Sequence, residues 1–336
     1  MFLSYIFVRL LVNHAHTLDL LDIPNERSHH CSTVPRGGGI GFVMAFFVAI
    51  LFFKFQIFLE FWYIFLSIFF VFGVGVVDDR YEVSARLKFI VIFVAVILLS
   101  ANQFYISTLG NWFGFSLNLP VWLAVLFTLF AIAGATNALN LIDGLDGLSS
   151  SISLVIIISF YLLGLKHHDE FMQVLSAFSI ASIIGFLILN WHPAKIFMGD
   201  SGSLTLGFII SILAVRSIDY IHPVAIVYLM AIPILDTLIV MVRRIRRGRS
   251  PFSPDKTHLH HILVKFFDMN VRKTVIFLTL LQIMFGGIGY TIMILIKLDS
   301  SNTFQFYSLI GLLVLFVLFY MIFTGIKKRQ FALDKK

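Results

Sequence analysis

Residues 120–148 read PVWLAVLFTLFAIAGATNALNLIDGLDGL, an apolar run that passes directly into a polar string. The stretch 120–139 carries no charged side chain and has the length of about 20 residues that a helix needs to cross a bilayer. In the string that follows, Asn140, Asp143 and Asp146 recur at three-residue intervals, a spacing that keeps neighbouring side chains on one side of a helix. The segment therefore predicts a membrane-spanning helix that ends in a cluster of polar groups, although such a polar stripe also serves to pack helices together.

The same apolar character extends over the whole chain. Of its 336 residues, 59% are hydrophobic and 13% are charged, and the mean hydropathy is +0.95. A soluble domain averages about 45–50% apolar and about 25% charged residues, so an ordinary soluble enzyme is excluded and nucleic acid is not expected as a partner. The composition instead predicts an all-α polytopic membrane protein, folded as one integral-membrane domain over residues 1–336. About ten full spans are expected, at 39–58, 61–77, 88–104, 120–139, 148–165, 171–190, 201–215, 223–242, 274–296 and 304–326.

Positive charge predicts how these spans are oriented. When the connecting segments are assigned alternately to two sides, 21 of the 25 Lys and Arg residues fall on one side, and only Lys54, Lys166, Arg216 and Lys297 fall on the other. Because cytoplasmic loops carry an excess of Lys and Arg, the first side is predicted to be cytosolic. Its loops lie at about 9–38, 78–88, 140–147, 191–200 and 243–273, and the C-terminal segment 327–336 follows them.

Acidic residues gather at the cytosolic ends of the predicted spans. Asp78 and Asp79 are adjacent at the end of an apolar stretch, where two carboxylates repel each other unless a divalent cation or a positive substrate lies between them. Asp200 lies in the motif Gly199-Asp-Ser-Gly-Ser203, which places an acid, hydroxyls and backbone N–H groups at a helix start and suits a phosphate–metal pair. A solvated helix end and a helix N-cap are the simpler alternatives for these two segments.

One further acid lies deeper in a span. Asp236 is about two turns inside the predicted span 223–242, by the rise of 1.5 Å per residue. An unpaired carboxylate at that depth is costly. We therefore expect Asp236 to face the helix bundle, to pair with an amide or an Arg, and to support the fold rather than the reaction.

Glycine, arginine and histidine supply the other polar groups of the cytosolic loops. The run Gly37–Gly39 would let backbone N–H groups approach an anion, or would form a flexible connection. Most of the five arginines in 243–249 are expected to fix the topology and to meet anionic lipid headgroups. The three histidines in 258–261 have no cysteine partner, so hydrogen bonding to pyrophosphate oxygens is favoured over zinc binding.

Together these loops predict a site for a polyanion and a hard divalent cation at the inner face of the membrane. Three motifs, Asn137–Leu148, Phe197–Ser203 and Asp255–His261, in combination resemble the polyprenyl-phosphate N-acetylhexosamine-1-phosphate transferase family, which includes phospho-MurNAc-pentapeptide translocase. The runs Pro24–Arg27 and Pro35–Gly39 are similar to the bacterial members that start O-antigen or other surface-glycan synthesis. The resemblance covers nearly the whole chain.

This resemblance implies a reaction and a location. Undecaprenyl phosphate, or another polyprenyl phosphate, attacks the β-phosphorus of a UDP-N-acetylhexosamine, UMP leaves, and a polyprenyl-pyrophosphoryl sugar forms, with Mg²⁺ or Mn²⁺ as the cofactor. The protein is expected in the bacterial inner membrane, surrounded by lipid, with a cytosolic active site, and a homodimer is left open. Related enzymes carry a full span before the first loop, whereas Met1–Val8 is only an apolar stub, so the chain as written is expected to start late.

The family motifs also imply roles for individual residues. Asp78 is the candidate to deprotonate the lipid phosphate, although a phosphate monoester with a second pKa of about 6 needs little help at neutral pH. Asp200 is the candidate metal ligand. The implied catalytic residues are Asp78, Asp79, His258, His260 and His261. The implied nucleotide-binding residues are Asn140, Asp143, Gly144, Leu145, Asp146, Asn190 and Phe197. The implied lipid-phosphate ligands are Arg36, Arg86 and Lys88.

Two other functions stay open at this point. Phospho-MurNAc-pentapeptide translocase is the alternative within the enzyme class, and a secondary transporter is the alternative from another class. Transporters place intramembrane acids near the bilayer midplane, often within inverted repeats. Here most acids lie at inner span ends and no repeat is apparent, which favours the enzyme. The sequence does not identify the sugar, for which GlcNAc, QuiNAc and FucNAc are candidates.

Overall fold

The computed structural model describes residues 1–22, 33–250, 257–298 and 303–333, and it describes side chains as far as residue 326. Within these ranges the chain forms fourteen helices and two small antiparallel sheets of two strands each. It divides into two compact units, the first made of residues 1–107 and 119–220 and the second of residues 108–118 and 221–336. Each unit is described by itself below.

In its described residues, the first unit holds nine helices and one of the small sheets. Its helices are α1 (Phe2–His14), α2 (Gly38–Phe53), α3 (Phe55–Glu60), α4 (Trp62–Tyr81), α5 (Ala85–Ala101), α6 (Val121–Ile142), α7 (Leu148–Lys166), α8 (Glu170–Asn190) and α9 (Asp200–Ser217). Its strands are β1 (Leu21–Asp22) and β2 (Val34–Pro35), with Leu21 paired opposite Pro35.

Helix α9 forms the core of the first unit. It packs against α2, α4, α6 and α7, and all but three of its 18 residues are buried. Glycine permits the closest of these approaches, because a Cβ added to Gly39 of α2 would lie 2.0 Å from the N of Gly202, and one added to Gly75 of α4 would lie 2.5 Å from the Cα of Ser201. Small residues let membrane helices bring their backbones together in this way. The packing places Asp200, the first residue of α9, beside the ends of α4 and α6.

The described part of the second unit holds the other sheet and five helices. Its elements are β3 (Thr108–Trp112), β4 (Phe115–Asn118), α10 (Pro223–Leu229), α11 (Ala231–Arg246), α12 (Leu259–Phe266), α13 (Val271–Leu298) and α14 (Phe304–Leu333). Strands β3 and β4 form a hairpin. The all-α prediction did not include this hairpin or the β1–β2 pair, both of which are short.

A sharp bend replaces the continuous span expected at 223–242. Helices α10 and α11 meet at an angle of 88°. Pro233 accounts for the break, since it has no N–H to donate to the carbonyl of Leu229 and its ring would clash with that oxygen in a continuous helix. Gln282 of α13 satisfies the interrupted backbone: its Nε2 donates to the Leu229 carbonyl oxygen (2.8 Å) and its Oε1 accepts from the Ile232 N–H (3.1 Å).

The structure confirms an all-α membrane protein, whereas the number of ten spans stays a prediction. Among the described residues, six helices are long and apolar enough to cross a bilayer, namely α4, α6, α7, α8, α13 and α14 up to Ile326, and the bent pair α10–α11 makes a seventh if it counts as one span. Helices α1 and α2 are apolar but have only 13 and 16 residues. The span predicted at 39–58 is interrupted at Lys54, and the predicted stub Met1–Val8 continues as helix to His14.

Candidate active site

Asp79, close to the end of α4, holds the start of α9. The residue is buried, and its Oδ1 and Oδ2 accept hydrogen bonds from the backbone N–H groups of Asp200 (2.7 Å) and Ser201 (3.2 Å). These N–H groups lie in the first turn of α9, where a helix offers them no partner of its own. The expectation that they are free to bind a phosphate is therefore wrong for Asp200 and Ser201, because Asp79 already binds both.

Gly199 makes this contact sterically possible. It has a φ of 73°, a left-handed conformation that glycine adopts without strain. A Cβ at this position would lie 2.4 Å from the Oδ1 of Asp79. The glycine before Asp200 is thus required by the carboxylate that packs on it.

Asp78, the neighbour of Asp79, has different partners. Lys88 Nζ lies 2.8 Å from Asp78 Oδ1 and 2.5 Å from Asp200 Oδ2, so one ammonium bridges two carboxylates. Asp78 Oδ1 also accepts a hydrogen bond from the Val83 N–H (2.7 Å). Lys88 extends from the first turn of α5, which Ser84 caps. The bridge was not foreseen, since Lys88 was predicted as a ligand of the lipid phosphate.

Asn140, at the end of α6, binds the other oxygen of Asp200. Its Nδ2 lies 3.0 Å from Asp200 Oδ1 and 2.9 Å from Ser203 Oγ. The Ser203 hydroxyl in turn lies 3.1 Å from the Gly199 carbonyl oxygen. The structure therefore brings together one predicted nucleotide-binding residue and the predicted metal ligand, and it holds the Asp200 carboxylate from two sides.

Asp143 follows the last residue of α6 and lies among other acids. Withdrawal of its carboxyl from water raises its pKa to about 8, and the negative charges of Asp200 and Asp79 add to this shift. A carboxyl group with that pKa is largely protonated at neutral pH, so it can donate a hydrogen bond as well as accept one.

Asp146 and Asn190, both predicted to bind nucleotide, join two loops. Asp146 Oδ2 lies 2.6 Å from His192 Nδ1 and accepts from the Ala194 N–H (3.1 Å). Asn190 Oδ1 accepts from the Gly147 N–H (3.0 Å). The loop after α6 is therefore fastened to the loop after α8. His192 was not predicted from the sequence as a partner of Asp146.

The glycine run before α2 is used for backbone pairing. The N–H groups of Gly38 and Gly39 donate to the carbonyl oxygens of Phe197 (2.9 Å) and Met198 (2.8 Å), and the Phe197 N–H donates to the Pro35 carbonyl oxygen (2.8 Å). The prediction that these two glycines offer their N–H groups to an anion is wrong. The run instead holds the segment that carries Phe197 and leads to Asp200.

The remaining predicted residues of the first unit lie in the same loops. Gly144 is exposed and Leu145 is buried in the loop after α6, while Arg36 is half-buried before α2 and Arg86 is exposed at the start of α5. The binding roles of these four residues stay predictions.

The histidines belong to the second unit, where Asp236 holds the first of them. His258 Nδ1 lies 2.9 Å from Asp236 Oδ2, and the Leu259 N–H donates to Asp236 Oδ1 (2.8 Å). Asp236 is buried, and so are His258 and His260, whose ring centroids are 5.9 Å apart. His261 follows, with its ring centroid 4.1 Å from that of His260. The partners of Asp236 are thus a backbone amide, one of the two predicted kinds, and a histidine, which was not predicted.

Two of the five clustered arginines are buried rather than exposed to lipid headgroups. Arg243 donates from Nη1 to the Thr257 carbonyl oxygen (2.9 Å) and from Nε to Thr324 Oγ1 (3.3 Å), and Arg244 is also buried. Arg246 is exposed, with its guanidinium 5.0 Å from the ring centroid of Tyr320. The headgroup interpretation is therefore wrong for Arg243, which binds the segment that leads into the histidines.

The donor set around Asp200 fits a hard divalent cation. Among the residues that the structure describes, no three His, Cys, Asp or Glu side chains form a ready-made metal cage. Mg²⁺ does not need one, since it commonly takes one or two carboxylates and completes its shell with substrate phosphates and water. Asp200 supplies carboxylate oxygens. The negative charges of Asp200 and Asp79, which add to the effect of burial on the pKa of Asp143, are the kind of charge that a cation offsets.

Comparison with known proteins agrees with the resemblance. The family model for glycosyl transferase family 4 matches residues 61–218. The chain is 32% identical over 320 residues to a protein of Bacillus subtilis (strain 168) named probable undecaprenyl-phosphate N-acetylglucosaminyl 1-phosphate transferase, which covers 93% of this chain and 86% of that protein. It is 35% identical over 302 residues to the undecaprenyl-phosphate alpha-N-acetylglucosaminyl 1-phosphate transferase of Haemophilus influenzae, which covers 86% and 82% of the two chains. The corresponding protein of Escherichia coli (strain K12) is 29% identical over 293 residues. Because the alignments extend over most of both chains, this protein belongs to the polyprenyl-phosphate N-acetylhexosamine-1-phosphate transferases of glycosyl transferase family 4.

Proposed function

We propose that this protein transfers an N-acetylhexosamine 1-phosphate from a UDP-sugar to undecaprenyl phosphate, releases UMP, and thereby starts a lipid-linked glycan. The names of its relatives support the acceptor and the transferred group. The motifs and the distribution of Lys and Arg support the rest of the proposal, which is a UDP-sugar donor, a cytosolic active site in the bacterial inner membrane, and a product used for O-antigen or a similar envelope polysaccharide.

The observation that carries the proposal is the network around Asp200. Its carboxylate is bound by Lys88 on one oxygen and Asn140 on the other, and its backbone is bound by Asp79. Phosphoryl transfer depends mainly on positioning and on neutralising charge, so a rigidly held carboxylate beside an ammonium is suited to it. A transporter would not need this precision at the ends of its helices.

In the proposed reaction, an oxygen of the lipid phosphate bonds to the β-phosphorus of the UDP-sugar. The bond from that phosphorus to the bridging oxygen breaks, and the electron pair leaves on UMP. Lys88 would bind a phosphate oxygen in exchange for one of its carboxylate partners, because an ammonium is a point charge that readily pairs with phosphate. Asp78 would accept a proton when the lipid phosphate arrives as a monoanion, a modest contribution at neutral pH.

Asp200 is the residue that would hold Mg²⁺ or Mn²⁺, and Asn140 orients it. A bound cation of this kind supplies charge neutralisation for the diphosphate. The loop with Asp143, Gly144, Leu145 and Asp146 would bind the nucleotide together with Asn190 and Phe197, and His258, His260 and His261 would contact the pyrophosphate or the sugar. Arg36 and Arg86 would join Lys88 in binding the lipid phosphate.

The test is an assay with purified full-length protein, undecaprenyl phosphate, Mg²⁺ and a panel of radiolabelled UDP-sugars. We expect UMP and a chloroform-soluble, acid-labile labelled product with at least one UDP-N-acetylhexosamine, and loss of product when EDTA removes the metal. Asp200→Asn should lower turnover far more than it weakens UDP-sugar binding, whereas Asp219→Asn, at an exposed acid, should leave turnover unchanged.

Three outcomes would contradict the proposal. Product from UDP-MurNAc-pentapeptide alone would identify the peptidoglycan translocase instead. Uptake of a labelled solute into vesicles without any lipid product would indicate a transporter. Unchanged turnover of Asp200→Asn at saturating Mg²⁺ would exclude Asp200 as the metal ligand.

A further inference from the structure

Helix α11 presents two buried charges of opposite sign on one face. Asp236 and Arg243 are seven residues apart, which is close to two helical turns, and their exposed fractions are 1% and 3%. Charged side chains are rarely buried in a membrane protein unless they are paired or functional, because removing them from water is costly. Both residues therefore need an explanation in terms of what they bind.

Both charges bind the same short segment. Arg243 donates to the Thr257 carbonyl oxygen (2.9 Å), while Asp236 binds the His258 ring (2.9 Å) and the Leu259 N–H (2.8 Å). Three consecutive residues are thus held by one helix, two of them through the backbone and one through its side chain. All three are buried, so these hydrogen bonds are shielded from competition with water.

The contact at His258 has a chemical consequence. A carboxylate only accepts hydrogen bonds, so the Nδ1 of His258 carries the proton in this pair. The ring orientation and the tautomer are then set by Asp236, which leaves Nε2 as the atom that can accept or donate towards a ligand.

We propose that Asp236 and Arg243 are positioning residues that hold His258 in one tautomer and one orientation for the transfer reaction. This inference rests on the proposed function, because His258 is taken to contact the pyrophosphate or the sugar. Asp236 and Arg243 touch no substrate themselves and act through the segment 257–259. Their burial alone would also fit a purely structural pairing, so the test needs readouts that a structural role does not change.

The first readout is a double-mutant cycle in the full-length enzyme. We expect Asp236→Asn to lower kcat by about 10- to 100-fold, as loss of a carboxylate that orients a functional histidine does elsewhere, and to change the KM for the UDP-sugar by less than about threefold. His258→Ala should lower kcat at least as much. The double variant should be no slower than His258→Ala alone, because Asp236 has no further function once the ring is gone.

The second readout is the ¹⁵N NMR spectrum of histidine-labelled protein, in which His258→Ala assigns the signal. We expect the wild-type signal of His258 to be that of the Nδ1-protonated tautomer, and Asp236→Asn to shift it towards a tautomer mixture. Arg243→Lys keeps the charge but loses the fork of donors, and it should lower kcat by about tenfold. Arg246→Ala, an exposed arginine of the same helix, is the matched control and should leave kcat unchanged.

Several results would overturn the inference. One is a double variant whose fold-decrease in kcat equals the product of the fold-decreases of the two single variants. Another is an Asp236→Asn variant that has wild-type kcat and differs from the wild type only in its lower thermal stability. An unchanged His258 signal in Asp236→Asn would do the same. If Asp236→Asn does not fold, two measurements still test the inference. A wild-type kcat in Arg243→Lys would overturn it for Arg243. A ¹⁵N spectrum of the wild-type protein in which His258 is not protonated on Nδ1 would overturn it for Asp236. If the wild-type enzyme forms no lipid product from any UDP-sugar, the proposed function fails, while the NMR comparison still decides whether Asp236 sets the tautomer.

Discussion

Replacing Asp79 by asparagine tests whether this residue positions Asp200 or takes part in the reaction directly. Its two carboxylate oxygens accept from two N–H groups at the start of α9, at 2.7 and 3.2 Å. An asparagine side chain has one acceptor oxygen and turns an NH₂ group towards the second donor. The substitution therefore keeps one of the two hydrogen bonds and breaks the other.

The hydrogen bond that is lost determines the expected effect on stability. A hydrogen bond to a charged acceptor contributes about 1.5–3 kcal/mol, and part of that loss is offset because the neutral side chain is cheaper to bury. We expect Asp79→Asn to lower the free energy of unfolding by about 1–2 kcal/mol. The larger effect should be on turnover, since a displacement of catalytic groups by about 1 Å can cost about 100-fold.

Asp78→Asn is the matched comparison, because it changes the same chemical group one residue earlier. An asparagine at this position can still accept from the Val83 N–H, so the substitution removes only the ion pair with Lys88, and Lys88 keeps Asp200 as its other partner. The assay measures thermal unfolding by tryptophan fluorescence and turnover as a function of Mg²⁺ concentration for both variants. Asp79→Asn should be less stable than Asp78→Asn and should need more Mg²⁺ for half-maximal turnover. If Asp79→Asn keeps the wild-type melting temperature and the wild-type Mg²⁺ concentration for half-maximal turnover, Asp79 does not position Asp200.

Three further substitutions test other parts of the structure. Gly75→Ala places a Cβ 2.5 Å from the Cα of Ser201, so we expect a lower melting temperature and reduced turnover, and wild-type values for both would contradict the close packing of α4 on α9. Gln282→Leu removes both partners of the backbone break between α10 and α11 and should cost about 2–4 kcal/mol in a thermal or denaturant unfolding measurement. Burial and neighbouring acids raise the pKa of Asp143 to about 8. The folded state therefore keeps a proton that the unfolded state releases near pH 4. As a result, the contribution of Asp143 to the free energy of unfolding declines as the pH rises from about 4 to about 8. Asp143→Asn should therefore be more stable than the wild type at pH 8 in EDTA, with a smaller difference at pH 5; an equal difference at both pH values would refute the shift.

Much of the fold follows from sequence, but the number of spans does not. Apolar length predicts that a segment prefers lipid, and the helices α4, α6, α7 and α8 lie close to where the hydropathy indicates. Hydropathy does not register where the backbone breaks. Pro233 lies inside an apolar run, so hydropathy alone does not mark it. A proline in the interior of a predicted helix nevertheless predicts a bend, because it cannot donate to the carbonyl four residues earlier. Lys54 interrupts the first predicted span, 39–58, and the sequence around it does not show why the helix breaks there.

The identities of the site residues were more predictable than their contacts. The motifs singled out Asp78, Asp79, Asn140 and Asp200, and the structure brings these four together at one end of the first unit. Sequence could not distinguish Asp78 from Asp79, because adjacent residues on a helix differ by about 100° in direction and only the position of α9 decides which of them meets a backbone. The spacing of seven residues between Asp236 and Arg243 was a readable signal of a shared helix face. This signal was missed because Arg243 was interpreted together with the other arginines of 243–249, as a residue that meets lipid headgroups.

Two buried acids of this protein, Asp79 and Asp236, have the same kind of role, and this role bears on how mutants are interpreted. Asp79 accepts from the first N–H groups of α9, and Asp236 accepts from the Leu259 N–H at the start of α12. Both acids lie far from their partners in sequence, so each caps a helix from another helix. Unpaired backbone groups are costly where water is excluded, and a carboxylate satisfies them while fixing the residue next to them. In each case that residue carries a predicted function, Asp200 in one and His258 in the other. Loss of activity on removal of Asp79 or Asp236 is therefore no proof of a catalytic residue, because both acids can act entirely through the geometry of their neighbours.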